Sequence, residues 1–234
     1  HRIFSINDEG KRVQIGAIQS ITENQTKDNN QTAIALYNRF GHDIHYKATS
    51  ILPFNSIRKL SAVTFEEMGT FSFGAPEYVL SKETYNKLET QINQYSQMGF
   101  RVLILAHSNN EIKEDTPPND FIPICLIIIV DNIREDAIET IKWFKENDVA
   151  VKVISGDNPV TVSEVARRVG IKNASMFISL EGLSNIEVEN AANEYTVFGR
   201  VTPEQKAILI RAIKKAGNTV AMTGDGVNDI LAMK

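Results

Sequence analysis

The chain has 234 residues, enough for one large domain or two ordinary ones, and 42% of them are hydrophobic, which is ample for a buried core. A formal net charge of −4 and a pI of about 5.7 argue against nucleic acid or an anionic membrane surface as a partner. Cys125 is the only cysteine and lies in an apolar run, which predicts a buried thiol in a reducing compartment and excludes an internal disulfide framework. The longest apolar run, residues 124–130, is far shorter than the roughly 20 residues of a membrane helix.

The first part of the chain, residues 1 to about 122, is predicted to combine helices with an antiparallel sheet. Its extended segments are separated by proline, glycine and paired glutamates, as in hairpins. Its helices carry apolar residues at helical spacing and end at Gly41 and Gly99. The predicted elements are a helix from about residue 29 to 40, strands over 46–52, 59–65 and 70–73, a helix over 82–98, a strand over 101–106 and a polar loop over 109–120.

The remainder changes to an alternation of strands and helices. Residues 124–130 are a continuous, mostly β-branched run, typical of a strand covered on both faces in a parallel sheet. Asn158 is predicted to cap a helix that starts at Pro159, and residues 202–205 form a capping box. In such a doubly wound α/β sheet, ligands bind beyond the carboxyl ends of the strands. The predicted elements are strands over 124–130, 149–154, 176–179, 196–198 and 219–222, and helices over 134–146 (Ala137, Ile138, Ile141 and Phe144 facing inward), 159–169 and 202–216.

Polar side chains accumulate in the turns directly after these predicted strands. Because the carboxyl ends of parallel strands meet at one edge of a sheet, we expect the side chains to converge there. Together they suit a transferring phosphoryl group, whose charge is neutralised by hydrogen-bond donors and a metal ion. Ser155 would hydrogen-bond one phosphoryl oxygen, and Lys206 would screen another. The set comprises Asp131, Arg134, Ser155, Gly156, Asp157, Arg200 and Lys206.

The last of these turns, Thr223-Gly-Asp-Gly-Val-Asn-Asp229, carries two carboxylates four positions apart. Its two glycines permit a tight turn, and Asp225 and Asp229 flank Asn228. Mg²⁺ takes oxygen ligands and keeps water or substrate phosphate in its other positions, so these carboxylates are candidate ligands. A Gly-Asp turn that caps a helix for purely local reasons is the alternative.

Each of these residues also has a purely structural explanation. Ser155 can cap a turn, Lys206 can be a solvated helix residue, and Asp131 with Arg134 can form a surface ion pair. Their joint occurrence in this order favours a functional site. The set contains no nucleophile, because no strand that ends in a leading aspartate precedes the hydroxyl turn, as covalent phosphoryl transfer would require.

The strings in the second part resemble those of P-type cation-transporting ATPases, within the haloacid-dehalogenase superfamily. Residues 223–229 resemble the family's hinge motif, and residues 155–157 its Thr-Gly-Asp with the hydroxyl kept. Residues 131–134 resemble its Asp-Pro-Pro-Arg with both prolines lost, and Lys206 stands where its phosphate-contacting lysine would be.

The first part resembles the same family's nucleotide-binding domain. Residues 53–59, Pro-Phe-Asn-Ser-Ile-Arg-Lys, resemble the segment whose aromatic residue stacks on adenine. Residues 74–77 resemble the end of its Lys-Gly-Ala-Pro-Glu, and residues 99–103 its arginine strand.

The resemblance implies an α/β fold with two parts. Residues 1–122 would be an α+β nucleotide-binding domain with an antiparallel sheet. Residues 123–234 would be part of a phosphorylation domain with a Rossmann-like parallel sheet that lacks its first catalytic strand. ATP and Mg²⁺ would be the ligands, and the actuator and transmembrane domains of the same, longer membrane protein would be partners. This segment would lie on the cytoplasmic side of the cell membrane.

The resemblance also implies residue roles. Phe54 would stack on adenine, Lys59 would line the pocket, and Arg101 would approach the phosphates. The implied nucleotide-binding set is Phe54, Lys59, Gly74, Ala75, Arg101, Asp131, Arg134 and Arg200. The implied catalytic set is Ser155, Gly156, Asp157, Lys206, Asp225 and Asn228, with Asp225 and Asp229 on the metal.

Two departures from the family pattern affect these expectations. Phe73 occupies the position of the lysine in Lys-Gly-Ala-Pro-Glu, which removes a charge that would face the nucleotide. The phosphorylated Asp-Lys-Thr-Gly-Thr does not occur in the chain, so we expect a fragment that binds nucleotide without turnover. In its Ser-Gly-Asp variant and its missing lysine, the chain resembles a bacterial subgroup of this family that is associated with calcium.

Two other functions share part of this pattern. A soluble phosphatase with a cap domain would have the hydroxyl turn, the lysine and the carboxylate pair, but it has no need of an adenine pocket. A nucleotide-sensing module is the third hypothesis.

Overall fold

A computed structural model describes residues 2–5, 36, 46–55, 57–130 and 133–224. Over these residues, the larger sheet consists of the strands β1 (Arg2–Ser5), β2 (Ala48–Leu52), β3 (Leu60–Phe65), β4 (Gly69–Gly74), β5 (Arg101–Ser108) and β6 (Ile122–Ile129). Their order in the sheet is β1-β6-β5-β4-β3-β2. The pairs β1–β6, β2–β3, β3–β4 and β4–β5 are antiparallel.

The antiparallel hairpins predicted from the sequence are confirmed by β2, β3 and β4. Helices α1 (Pro76–Val79) and α2 (Lys82–Gln97) lie between β4 and β5. The helix predicted near residues 29–40 lies outside the described residues, apart from Leu36, which is helical and fully buried. Among the described residues, no helix is both long and apolar enough to cross a membrane.

The prediction that residues 124–130 form a parallel strand is wrong. The corresponding strand, β6, pairs antiparallel with β1 and belongs to the larger sheet. Its residues from Cys125 to Ile129 are all buried, so the apolar run was interpreted correctly as a doubly covered strand. A continuous apolar run reports burial on both faces but not the direction of the neighbouring strands.

The smaller sheet consists of the strands β7 (Val153–Ile154), β8 (Phe177–Ser179) and β9 (Val197–Gly199). It is parallel, as predicted, with the order β7-β9-β8. The helices of this region are α3 (Ala137–Glu146), α4 (Pro159–Arg168), α5 (Asn185–Glu194) and α6 (Pro203–Lys215). Asn158 caps α4 and the capping box opens α6, both as predicted.

Helix α5 was missed by the sequence analysis. Its composition is dominated by asparagine and glutamate, and only three of its residues, Val188, Ala191 and Ala192, are buried. The available signal was a second capping box, in which Ser184 and Glu187 satisfy each other's backbone N–H groups.

Two further predictions in this region are wrong. Residues 219–222 are described but form no strand, although Val220 packs against the core of the smaller sheet. A strand depends on its neighbours more than on its own propensity, and none of the described residues pairs with this segment. Ile138 was expected to face inward, but its side chain is 57% exposed. Helical periodicity predicts an apolar face of a helix, but it does not predict whether another element covers that face.

The chain divides into two compact units, over which these helices and strands are distributed. The first comprises residues 1–92 and 102–130, and the second comprises residues 93–101 and 131–234. The division into domains predicted from the sequence, at 122/123, remains a prediction. One core cluster lies in the first unit, where Phe65, Phe71 and Phe73 pack with Leu105 and Cys125. In the second unit, Phe198 and Leu209 belong to the larger core cluster.

Cys125 is fully buried in the first core, as the sequence predicted. Burial away from water raises the pKa of its thiol to about 12, because desolvation disfavours the thiolate. The reactive form of the side chain is therefore almost absent at neutral pH.

Gly199 brings β9 into direct contact with the start of α4. A β-carbon at this position would lie only 2.5 Å from the α-carbon of Pro159. Gly199→Ala should therefore lower the free energy of unfolding by roughly 3 kcal/mol, the upper end of the usual cost of overpacking. Urea denaturation of the whole chain would measure this.

Gly182→Ala is the matched control for this substitution. Nothing lies within 4 Å of the β-carbon it would add, so only its left-handed φ of +75° opposes alanine. We expect a loss of about 1 kcal/mol there. An equal or smaller loss for Gly199→Ala would contradict the proposed steric constraint.

Glu164 on α4 accepts hydrogen bonds from Arg167 at 2.8 Å and from Arg168 at 3.1 Å. These arginines, Arg167 foremost, lower the pKa of Glu164 from 4.5 to about 2. A carboxylate whose pKa is lower in the folded state stabilises the fold above its unfolded pKa, and this contribution disappears as the pH falls. The stability that Glu164 contributes is thus present above about pH 4.5 and lost toward pH 2.

The free energy of unfolding of Glu164→Gln should therefore be lower than that of the wild type above pH 4.5, and the two should converge toward pH 2. Arg167→Gln should weaken the same pH dependence, because it removes the main cause of the shift. Denaturation curves between pH 2 and 7 would test both variants. A Glu164→Gln curve that runs parallel to the wild type throughout would refute this assignment.

Candidate functional site

Main-chain hydrogen bonds connect two turns at the carboxyl edge of the parallel sheet. The Ser155 N–H donates to the Phe198 carbonyl at 2.9 Å, and the Val201 N–H donates to the Ser155 carbonyl at 3.0 Å. The Arg200 N–H donates to the Asp157 carbonyl, also at 2.9 Å. The turn after β7 (residues 155–157) and the turn that begins at the last residue of β9 (residues 199–201) therefore form one hydrogen-bonded structure.

Ser155 is oriented within its own turn. Its Oγ accepts a hydrogen bond from the Asp157 N–H at 3.1 Å. Accepting this bond leaves the hydroxyl proton as a donor, which is what a phosphoryl oxygen requires. The Asp157 carboxylate in turn accepts from Arg101 Nη2 at 2.9 Å, in an ion pair within the second unit.

Arg200 contributes to the same edge from an unusual backbone conformation. Its φ is +53°, and it is only 8% exposed. The guanidinium Nη1 donates to the Gly156 carbonyl at 3.3 Å. A buried arginine in the left-handed region is uncommon, and the hydrogen bonds of both turns stabilise it there.

Two helices begin at this edge, and a helix N-terminus favours anions through its backbone N–H groups and its dipole. Asn158 caps α4 by accepting from the Val160 N–H at 2.9 Å and the Thr161 N–H at 3.4 Å. Helix α6 starts two residues after Val201, and the half-buried Lys206 lies one turn into it. The edge thus combines a hydroxyl, a lysine and two helix starts.

Predicted residues of the first unit come together at one end of its sheet. Leu60 is the partner of Gly74 in the β3–β4 register, and the Ala75 N–H donates to the Lys59 carbonyl at 3.1 Å. A β-carbon at Gly74 would lie 2.5 Å from the same carbonyl oxygen, so only glycine permits this approach. The connection between β2 and β3 therefore lies directly against the end of β4.

The exposures of the two aromatic residues differ in this region. Phe54, in the connection between β2 and β3, is 43% exposed, so its ring is accessible to a ligand. Phe73 is 5% exposed and belongs to the core of the first unit. Its side chain is thus part of the hydrophobic core, where a lysine would be costly without a partner.

The remaining predicted residues have other positions. Arg134 is largely exposed and makes a two-point ion pair with Asp136, at 2.8 and 3.1 Å. This pair lowers the pKa of the Asp136 carboxyl and raises that of the Arg134 guanidinium. The predicted residues Asp131, Asp225, Asn228 and Asp229 lie outside the described residues.

Two features of the site were missed by sequence reasoning. One is the 2.9 Å ion pair between Arg101 and Asp157, which lie 56 positions apart, so no local sequence pattern predicts it. The close approach at Gly199, the last residue of β9, is the other, although a glycine in a buried strand signals a close backbone approach.

A cavity of about 570 Å³ opens on the opposite, amino edge of the parallel sheet. Among the predicted site residues that the structure describes, none lines it. Lys152 is among its lining residues, and partial burial lowers the pKa of its ammonium group.

Comparison with known proteins identifies the family. A sequence profile of the haloacid dehalogenase-like hydrolases matches residues 55–234. The probable cation-transporting ATPase exp7 of Streptococcus pneumoniae is 41% identical over 211 residues, which cover 89% of this chain and 26% of that protein. The calcium-transporting ATPase CtpE of Mycobacterium bovis is 38% identical over 182 residues, or 78% of this chain and 23% of that protein.

A third relative is the magnesium-transporting ATPase, P-type 1, of Salmonella typhimurium, which is 32% identical over 155 residues, or 63% of this chain and 17% of that protein. The chain thus spans about a quarter or less of the length of these curated relatives. They confirm the resemblance found in the sequence motifs. The chain belongs to the haloacid dehalogenase-like hydrolases, and over most of its length it is homologous to P-type cation-transporting ATPases.

Proposed function

We propose that this chain is the ATP-binding and phosphorylation segment of a P-type ATPase that couples ATP hydrolysis to cation transport across a membrane. The observation that carries the proposal is the pair of hydrogen-bonded turns, residues 155–157 and 199–201, at the carboxyl edge of the parallel sheet. The names of the three relatives, all cation-transporting ATPases, support it.

In this proposal, residues 1–122 bind the nucleotide. The exposed ring of Phe54 stacks on adenine, and Lys59, Gly74 and Ala75 form the neighbouring wall. The contact between Ala75 and Lys59 supports this grouping, because it brings both segments to one end of the sheet. A flat aromatic face with a nearby cation suits a purine.

Residues 123–234 carry the phosphorylation chemistry. The terminal phosphoryl group of ATP passes to an aspartate carboxylate, ADP leaves, and water later hydrolyses the acyl phosphate. Ser155 donates a hydrogen bond to a phosphoryl oxygen, Lys206 neutralises its charge, and the Gly156–Asp157 backbone fixes the turn. The string Asp-Lys-Thr-Gly-Thr does not occur in these 234 residues, so the chain by itself is proposed to bind nucleotide without turnover.

Mg²⁺ is proposed to bind through Asp225 and Asp229, with Asn228 beside them. When bound, it supplies positive charge to the phosphoryl oxygens. These three residues lie outside the described residues, so their sequence pattern alone supports the assignment. Across residues 46–130 and 133–224, apart from Ser56, no three His, Cys, Asp or Glu side chains gather as a metal site would require.

Further nucleotide contacts are proposed for Arg101, Asp131, Arg134 and Arg200. The transported cation, and the actuator and transmembrane domains of the same protein, are the proposed partners, and the segment is placed on the cytoplasmic side of a cell membrane. Calcium is the first candidate for the cation, since CtpE of M. bovis is named for calcium transport.

A soluble phosphatase with a cap domain is less well supported. The relatives are named as cation-transporting ATPases, and an adenine pocket at Phe54, Lys59, Gly74 and Ala75 would have no role in a phosphatase cap. Magnesium-dependent hydrolysis of p-nitrophenyl phosphate by the isolated chain would favour the phosphatase over the pump.

Phe54→Ala should weaken the binding of ATP to the chain roughly tenfold, because stacking of a base on an aromatic ring contributes about 1–3 kcal/mol. Calorimetric or NMR titration with ATP would measure the dissociation constants of both proteins.

Trp143→Ala is the matched control, since Trp143 is an exposed aromatic residue of α3 outside the candidate site. It should leave the affinity for ATP unchanged. No binding at millimolar ATP, or equal affinities for the wild type and Phe54→Ala, would count against the proposal.

A further inference from the structure

Residues 98–101, named here the strap, follow α2 and belong to the second unit. The Met98 carbonyl accepts a hydrogen bond from Arg168, and the Phe100 carbonyl accepts from Thr161 Oγ1 at 3.0 Å. Thr161 is itself buried. The strap therefore contacts α4 through its backbone rather than only through exposed side chains.

Gly99 fits closely between these two contacts. A β-carbon there would lie 3.1 Å from Glu164 Cγ and 3.2 Å from the Arg168 guanidinium, and its φ is +72°. Both the space and the backbone conformation favour glycine at this position. Arg168 is held by Glu164 at 3.1 Å, which directs its guanidinium toward the strap.

The last residue of the strap, Arg101, makes the ion pair with Asp157 at 2.9 Å. Taken in order, Met98, Phe100 and Arg101 bond to Arg168, Thr161 and Asp157, and Gly99 faces Glu164, which a β-carbon there would approach to 3.1 Å. The four positions opposite the strap are spaced by four, three and four residues, which is the spacing of one helix face continued into the preceding turn. The strap thus runs antiparallel to α4 and ends on the Ser155–Asp157 turn.

Asp157 connects this contact to the candidate hydroxyl. Its N–H donates to Ser155 Oγ at 3.1 Å, and its carbonyl accepts from the Arg200 N–H at 2.9 Å. The position of Ser155 Oγ therefore depends on Asp157, and the carboxylate of Asp157 is held by Arg101.

We propose that Arg101 is a positioning residue, through which the strap holds the Ser155–Asp157 turn in the conformation that presents Ser155 Oγ at the sheet edge. The inference rests on the proposed function for the importance of Ser155. It assigns to Arg101 a role that operates before any nucleotide is bound. The physical basis is one charged hydrogen bond at the end of a continuous contact along α4.

Amide hydrogen exchange in the nucleotide-free chain tests this directly, because exchange reports local opening. The relevant amides are those of Asp157, Arg200 and Val201, which donate to the two turns. In Arg101→Gln they should exchange about three- to tenfold faster, since the ion pair is partly exposed and of modest strength. Amides of α5 serve as the internal reference.

The conservative variant Arg101→Lys should restore part of the protection, because it keeps the charge. Asp157→Asn should resemble Arg101→Gln, and the double variant should be no worse than either single one, since both remove the same interaction. Arg167→Gln is the matched control: it removes an arginine that pairs with Glu164 on α4, and no strap contact involves that arginine.

Three results would overturn the proposal. The three amides could exchange at wild-type rates in Arg101→Gln, the α5 amides could accelerate equally, or the effects of Arg101→Gln and Asp157→Asn could add. The exchange experiment uses the nucleotide-free chain, so it tests the role of Arg101 even if the chain does not bind ATP. Conversely, wild-type exchange rates in Arg101→Gln would contradict the role of Arg101 without changing the ATP titration of Phe54→Ala. Each proposal can therefore be refuted independently of the other.

Discussion

The backbone contact between Gly199 and Pro159 is the constraint on which the second unit's candidate site depends. With 2.5 Å between Pro159 and the place of a β-carbon, β9 and the first residue of α4 lie against each other. The turn that precedes α4 is consequently close enough to residues 199–201 for their backbone hydrogen bonds to form. Those bonds satisfy polar groups that would otherwise be costly to bury, and they fix Ser155 and Arg200 at one edge.

Gly74 has the same kind of role in the first unit. There the carbonyl of Lys59 occupies the space that a side chain would need, at 2.5 Å from the position of a β-carbon. In both units the predicted residues are therefore carried by a strand end where a second backbone segment approaches closely. The missing side chain at each glycine determines which chain segments become neighbours, and the polar side chains nearby follow from that arrangement.

Local signals in the sequence predicted local structure well. The cap at Asn158, the capping box at Thr202 and the hairpins of β2–β4 each depend on residues a few positions apart, and all are confirmed. The prediction that β6 belongs to the parallel sheet is wrong, because strands buried on both faces occur in parallel and in antiparallel sheets.

The candidate site was predictable only in part, for a similar physical reason. The rule that polar residues gather after parallel strands predicts Ser155 and Arg200 at one edge, where the structure has both, since the rule depends on topology alone; their role as ligands stays a prediction. The ion pair of Arg101 with Asp157 depends on how the chain folds between two residues 56 positions apart, so the local spacing of residues does not predict it. The exposure of Ile138 likewise depends on which element covers its helix face, which periodicity does not encode.

The buried thiol of Cys125 has a practical consequence for studying the molecule. It is the only cysteine of the chain, and because it is fully buried and its pKa is raised to about 12, we expect its thiol to react far more slowly than an exposed one with thiol-directed reagents at neutral pH. The folded protein can therefore serve as a background for labelling. A cysteine introduced at an exposed surface position would thus accept a fluorescent or spin label selectively, without any need to alter the packed core.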